Sequence, residues 1–347
     1  GGFFTSLAIS LLAIPSIVTV AQSKGLYDKP QGRTPESKNV PTLGGLAIFA
    51  GMMISLSLFA DISLLPEMPY LVAGAVVLFF IGIKDDILII APWWKLLGQV
   101  LVTMAVSILG GLRIQTLNGF LGIYETGDIL GVFITVLIMV ALINSFNLID
   151  GIDGLASGIG ILSSIVFGLI FWHAGLYVWT LMAVALCGSL IGFTWYNVFG
   201  RKKKIYMGDT GSLLLGFFQA VILIRFLNLE QASILGIQIH TRLAFALAVL
   251  IIPVFDIVRI IIIRLMQGRS PFQPDRQHIH YRMVDMRLSH LGATGILMGI
   301  NLAMISIAMV MQGTGEIPVI LFLLVLSTLL SFIPGYYIRK EKRNSSL

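Results

Sequence analysis

Long apolar stretches, cut at intervals by short polar or Gly/Pro-containing breaks, organise this chain from one end to the other. Eleven of them reach helical length, near residues 3–22, 43–60, 69–83, 95–112, 129–146, 155–173, 176–195, 211–229, 241–264, 294–312 and 317–337. A helix needs ~20 mostly apolar residues to cross the hydrocarbon core of a bilayer. The pattern therefore predicts an all-α polytopic integral membrane protein of about eleven transmembrane helices, with residues 1–347 forming a single transmembrane domain. The first run is too long for the apolar core of a signal peptide and lacks a basic leader, so it reads as a span. Gly1-Gly2 reads as the scar of a cleaved tag. Loops 61–68, 174–175 and 313–316 look featureless, whereas 265–293 is long enough to form a lobe of its own.

Composition agrees with lipid as the solvent. Of the 347 residues 57% are hydrophobic and 12% charged, against about 25% charged in an ordinary soluble domain. The single Cys, Cys187, excludes a disulfide framework and a Cys-rich metal site. The basic residues gather after the first, third, seventh, ninth and eleventh helices: Lys24 to Lys38, Lys84 and Lys95, Arg201 to Lys204, Arg264 to Arg287, and Arg339 to Arg343. The positive-inside rule makes that side cytoplasmic, with the N-terminus outside and the C-terminus inside. Topology and anionic headgroups are then sufficient reason for the run 201–204, with direct substrate steering as the alternative. No nucleic-acid partner is implied by the positive charge.

The acids sharpen the picture. Asp85, Asp86, Asp150, Asp153, Asp209, Asp256 and Asp275 sit in or beside apolar helices or in the 265–293 lobe. An ionisable group at membrane depth costs several kcal/mol and is a functional candidate by default. The first five fall at the cytoplasmic ends of the third, fifth and eighth helices. Adjacent carboxylates such as Asp85 and Asp86 repel, so one stays protonated unless a cation lies near. In Asn144-Ser-Phe-Asn147-Leu-Ile-Asp150-Gly-Ile-Asp153-Gly154, oxygen-bearing side chains three apart suit a hard cation, or simply a turn with Asp153 as helix cap. Tyr206-Met-Gly-Asp209-Thr-Gly-Ser212 opens the eighth helix, where free backbone N–H groups favour a phosphate. In Asp275-Arg276-Gln-His278-Ile-His280-Tyr-Arg282, arginine and histidine together suit anion recognition better than a metal. Asp256 and Arg259, three apart, pair within the bundle. His173, His240 and His290 are isolated and read as interfacial.

At these residues the chain resembles a known family, the polyprenyl-phosphate N-acetylhexosamine-1-phosphate transferases (MraY/WecA/TagO-like). The resemblance runs from about Gly25 to Arg287. It rests on Gly25-Leu-Tyr-Asp-Lys-Pro, Val40-Pro-Thr42-Leu-Gly-Gly45, Asp85-Asp86, the run Asn144 to Gly154, Met207-Gly-Asp-Thr-Gly-Ser212 and Pro274-Asp-Arg-Gln-His-Ile-His280. The last motif and the eleven spans look like the WecA/TagO branch rather than the phospho-MurNAc-pentapeptide transferases. The resemblance implies that a UDP-N-acetylhexosamine, GlcNAc being the best match, and undecaprenyl phosphate give undecaprenyl-diphosphate-sugar and UMP with Mg²⁺, or Mn²⁺ in its place. The setting it implies is a bacterial cytoplasmic membrane, as the first membrane step of a cell-envelope glycan such as O-antigen, with a homodimer as a reasonable assembly.

Residue by residue, the resemblance implies Asp209 and Asn147 as metal ligands and Asp85, with Asp86 beside it, at the lipid phosphate. It implies Asp150 and Asp153 lining the nucleotide pocket, and Tyr206 near the uracil. Arg276, His278 and His280 would act on the diphosphate and sugar, with Arg282 and Thr42 as further substrate contacts. Two positions depart from the family pattern: Tyr281 stands where many members have a third His, and Ser37 replaces a basic residue, with Lys38 adjacent. A phosphate monoester is largely dianionic near neutrality, its second pKa being ~6. Direct in-line attack by the lipid phosphate is therefore expected, with Asp85 orienting it; the rival is a covalent aspartyl intermediate. A membrane transporter is the reading from another class, but transporters place polar groups at the midplane and often carry inverted repeats.

Overall fold

A computed structural model describes residues 1–27, 40–61, 63, 65–88, 90–270 and 277–345. The expectations for Lys38, Asp275 and Arg276, and for residues 28–30 of the first motif, lie outside the described residues. Thirteen α-helices follow in order: α1 Gly2–Lys24, α2 Gly44–Phe59, α3 Met68–Leu88, α4 Pro92–Ile108, α5 Gly127–Ile149, α6 Leu155–His173 and α7 Tyr177–Phe199. After these come α8 Gly208–Leu227, α9 Arg242–Val249, α10 Ile251–Met266, α11 Ile279–Asp285, α12 His290–Met311 and α13 Glu316–Ser345.

Each predicted apolar run is helical, and the all-α class holds. Among the described residues seven helices are long and apolar enough to cross a membrane, or up to eight if one bent pair counts as a span; α2, at 16 residues, is shorter. The bent pair is the run expected as one helix over 241–264. It breaks between α9 and α10, which meet at 85°. The cause is Pro253, which has no N–H for the carbonyl four residues back. Asn301 of α12 offers its amide to the carbonyls of Ala248 and Val249, at 3.3 and 3.0 Å, and so satisfies backbone groups that the break strands in an apolar interior.

Two small hairpins were not anticipated. Thr116–Phe120 pairs with Ile123–Glu125, and Ser233–Ile234 with Ile237–Gln238. The second turns through Leu235-Gly236, both at positive φ, as two-residue hairpin loops require. The segment 313–316, expected to be featureless, ends in a helix cap: Glu316 accepts the N–H groups of Leu243 and Ala244 at 3.1 and 2.8 Å, closing the start of α9.

The axis of the bundle is α8, whose apolar window is 94% buried, against 22% for α1 and 28% for α12 and α13. It packs on α2, α3, α5 and α6. Glycines permit that closeness. A Cβ on Gly45 of α2 would stand 2.3 Å from the Gly211 nitrogen, and one on Gly82 of α3 would stand 2.4 Å from the Thr210 Cα. Three helix ends therefore meet backbone to backbone at the point where α8 begins.

Candidate active site

The site is assembled around the start of α8. The strand-like segment 40–45 lies along 205–208: Tyr206 N–H donates to the Pro41 carbonyl at 2.8 Å, and Gly44 and Gly45 donate to Tyr206 and Met207. Gly208, at φ 71°, fits between the Thr42 carbonyl and the Asp86 carboxylate, which a Cβ would meet at 2.0 and 2.8 Å. Thr42 thus contributes its backbone to the frame of the site.

Asp85 and Asp86 close α3 but face different tasks. Asp86 accepts the N–H groups of Asp209 and Thr210, at 2.7 and 3.0 Å, and the Thr210 hydroxyl at 2.6 Å. Two N–H groups expected to hold a phosphate are therefore taken, and the anion at the start of α8 is a carboxylate from the protein's own α3. Hydrogen bonds to a charged acceptor contribute about 1.5–3 kcal/mol each, so Asp86 fixes where Asp209 begins. Asp85 accepts the Ile90 N–H at 2.7 Å and meets the Lys95 ammonium at 2.6 Å. The same ammonium lies 2.8 Å from Asp209. Lys95, counted in the sequence only as a topological charge, is the cation that an adjacent acid pair requires.

The other oxygen of Asp209 accepts from the Asn147 amide, which also donates to Ser212 Oγ at 2.8 Å. α5, α8, α3 and α4 thereby place Asn147, Asp209, Asp85 and Lys95 in one continuous network. Its donor set fits a hard cation: two carboxylates and an amide whose oxygen would turn inward on a 180° rotation. Magnesium is commonly held by one or two carboxylates together with substrate phosphates rather than by an all-protein cage. Among the described residues, no group of three or more His, Cys, Asp or Glu is arranged to hold a metal ion.

Asp150 ends α5, half-buried, followed by Gly151, which faces His280. Asp153 occupies the turn between α5 and α6. Lys204 reaches its carboxylate at 2.6 Å and His290 at 3.4 Å. Burial of Asp153 opposes ionisation, but hydrogen bonds from His290 and Lys204 outweigh it and hold the carboxyl below the usual range. Thr294 donates to the Asp153 carbonyl at 2.9 Å, and Asn197 ties the Gly154 N–H to the Ile205 carbonyl. His290 is therefore not isolated, and the run 201–204 is more than a topology signal. The Lys204 ammonium also stands 5.6 Å from the centre of the Tyr206 ring, so Lys204 links Tyr206 to Asp153.

The third component comes from α10 and α11. Asp256 meets Arg259 at 2.9 Å, as the spacing predicts, and also His278 Nδ1 at 2.8 Å. His278 and His280 stack with centroids 5.6 Å apart. His280 Nε2 is buried without a hydrogen-bond partner and would contact a Cβ on Gly151 at 2.3 Å. Burial drives its imidazole down to about 3, against the pull of Asp256, so the ring is neutral. Arg282 sits in α11 with one guanidinium nitrogen 3.6 Å from where a Cβ on Gly335 of α13 would stand, directed to that helix.

Comparison with known proteins follows the same residues. Residues 68–227 match the model of the family described as "Glycosyl transferase family 4". That span takes in Asp85, Lys95, Asn147, Asp153 and Asp209. An undecaprenyl-phosphate alpha-N-acetylglucosaminyl 1-phosphate transferase of Escherichia coli (strain K12) is 32% identical over 325 residues, 92% of this chain and 86% of that protein. Proteins of the same description from Yersinia pestis and Salmonella typhi are 34% and 32% identical over 267 and 266 residues. Each of those two alignments covers 76% of this chain and 70% of the relative.

Proposed function

Because this chain belongs to the glycosyl transferase family 4, we propose that its site transfers N-acetylglucosamine 1-phosphate from a UDP-sugar to undecaprenyl phosphate, releasing UMP. The observation that carries the reading is the Asp85–Lys95–Asp209–Asn147 network, in a chain 32% identical over 325 residues to a protein described with that activity. Two anionic phosphates must be brought together, which is chiefly an electrostatic task. In phosphoryl transfer the protein contributes positioning and charge more than covalent chemistry.

Asp209 and Asn147 would hold Mg²⁺, which supplies positive charge to the donor diphosphate. Lys95 places a second cation beside it. The cluster of Tyr206, Lys204 and Asp153 receives the nucleotide. The His278–Arg282 segment lies across Gly151 from it and grips the diphosphate and sugar. Asp85 is engaged by both Lys95 and the Ile90 N–H, so it suits orienting the acceptor phosphate for direct in-line attack better than acting as a nucleophile. The basic ends of the helices face the cytoplasm, with the N-terminus outside and the C-terminus inside.

The test is UMP release by purified protein, with UDP-GlcNAc and undecaprenyl phosphate supplied together and singly. Release requiring both, with no phosphosugar trapped on denatured enzyme when the lipid is omitted, is the expected result. UMP released without the lipid, or a trapped covalent adduct, would overturn direct transfer. A panel of UDP-sugars then identifies the donor.

A further inference from the structure

We infer that Asp256 is a positioning residue for the transfer reaction, which fixes the His278 ring through Nδ1 so that Nε2 is the nitrogen left to meet the donor. The inference rests on the reading that the 277–282 segment grips the donor diphosphate. Asp256 lies on α10, one turn before Arg259, and is only 2% exposed. A carboxylate at that depth is stable only when its oxygens are engaged.

Its two oxygens are engaged unequally. Oδ1 accepts from Arg259 Nη2 at 2.9 Å and from the Ile279 N–H at 3.1 Å. Arg259 also donates to the Gln277 carbonyl at 2.6 Å. This half of Asp256 builds the segment: it ties the backbone on both sides of His278 to α10. Oδ2 serves His278 Nδ1, at 2.8 Å. A pair whose only task was to neutralise Arg259 would have no use for that second contact.

The contact has a chemical consequence. With Nδ1–H given to a carboxylate, the ring is held in one orientation and one tautomer. Nε2 is then the nitrogen available to a phosphate oxygen. The parallel ring of His280, 16° from that of His278, extends to Gly151. His280 therefore borders the Asp150–Gly154 turn, with His278 stacked on it.

Asp256→Asn separates the two tasks. The amide oxygen can still accept from Arg259 and Ile279, but its NH₂ faces Nδ1 and imposes the opposite tautomer. Purified Asp256→Asn should lose about 10–100-fold in kcat/KM for the UDP-sugar, the range seen when the orienting partner of a functional histidine is removed. The KM for undecaprenyl phosphate should stay unchanged. His278→Ala should lose at least as much, and the double variant should be no worse than His278→Ala alone, because Asp256 acts through that ring. Asp256→Glu, which keeps the charge, should recover part of the loss.

Losses that multiply in the double variant, or a fully active Asp256→Asn, would overturn the inference while leaving the donor-gripping segment intact. A fully active His278→Ala would instead overturn the reading on which it rests. If Asp256→Asn does not yield a monodisperse protein, Asp256→Glu alone and combined with His278→Ala carries the same test of non-additivity.

Discussion

Two regions of this molecule bring charged groups to the same place by opposite means. Around α3, α4, α5 and α8 the groups sit at the ends of continuous helices whose backbones touch through Gly45, Gly82 and Gly211. There each carboxylate meets a cation or a backbone N–H of the region itself. Around α10 and α11 the groups hang on a helix broken at Pro253, and one buried carboxylate holds a short segment in place. The first region is rigid by packing and balanced by internal charge. The second is ordered by a few directional hydrogen bonds, with an unpartnered imidazole nitrogen on His280. Reacting groups that must keep their spacing belong on the first kind of support, and groups that must admit and release a substrate belong on the second.

The largest test of this contrast removes the cation of the rigid region. Lys95→Met leaves Asp85 and Asp209 facing each other, and activity should fall by about 10³-fold, as for the loss of a central electrostatic group. Because two carboxylates then lack a counter-charge, added Mg²⁺ should raise the melting temperature of this variant more than that of the parent. An equal effect of Mg²⁺ on both proteins would show that Lys95 does not balance the pair.

Asp86→Ala comes next. It frees two N–H groups and a hydroxyl at the start of α8, so stability should fall by about 1–3 kcal/mol and activity with it. A melting temperature equal to the parent's would mean that glycine packing alone positions α8.

The pendant region predicts a pH effect. Burial holds the His280 imidazole down at about 3 in the folded protein, whereas the unfolded chain takes up that proton at ~6.5. Between those values the unfolded state binds more protons, so stability is complete above pH 6.5 and declines on acidification, by at most about 1.4 kcal/mol per pH unit. His280→Asn should flatten the dependence of melting temperature on pH between 7 and 5. An unchanged slope would place the acid sensitivity in another group. The smallest expected effect is at the Lys204–Asp153 pair: Lys204→Met should raise the KM for the UDP-sugar only several-fold, since a partly exposed ion pair contributes about 0–1 kcal/mol.

Much of the rigid region was legible in the sequence because its signals are local. Apolar runs marked the helices. Asp85, Asp86, Asn147, Asp153 and Asp209 stood out as polar groups at their ends. Partner choice was not legible, because hydrogen bonds between helices leave no trace in spacing along one of them. Asp86 and Asp209 are 123 positions apart, so a helix start that looked open to phosphate was already filled. Lys95 and Lys204 were hidden by a rival explanation, the positive-inside rule, which accounts for a basic residue without asking what it touches. The break at Pro253 carried a visible signal, a proline in an apolar run, but length and hydropathy favoured one span. His290 looked isolated because its partner, Asp153, lies in the distant turn between α5 and α6.

The contacts of α12 have a mechanical meaning. Near its start Thr294 holds the Asp153 carbonyl, and two turns further on Asn301 holds the carbonyls at the α9–α10 break. One rod is thus fastened to the Asp153 turn and to the root of the histidine-bearing segment, so that a tilt of α12 would carry both attachments together.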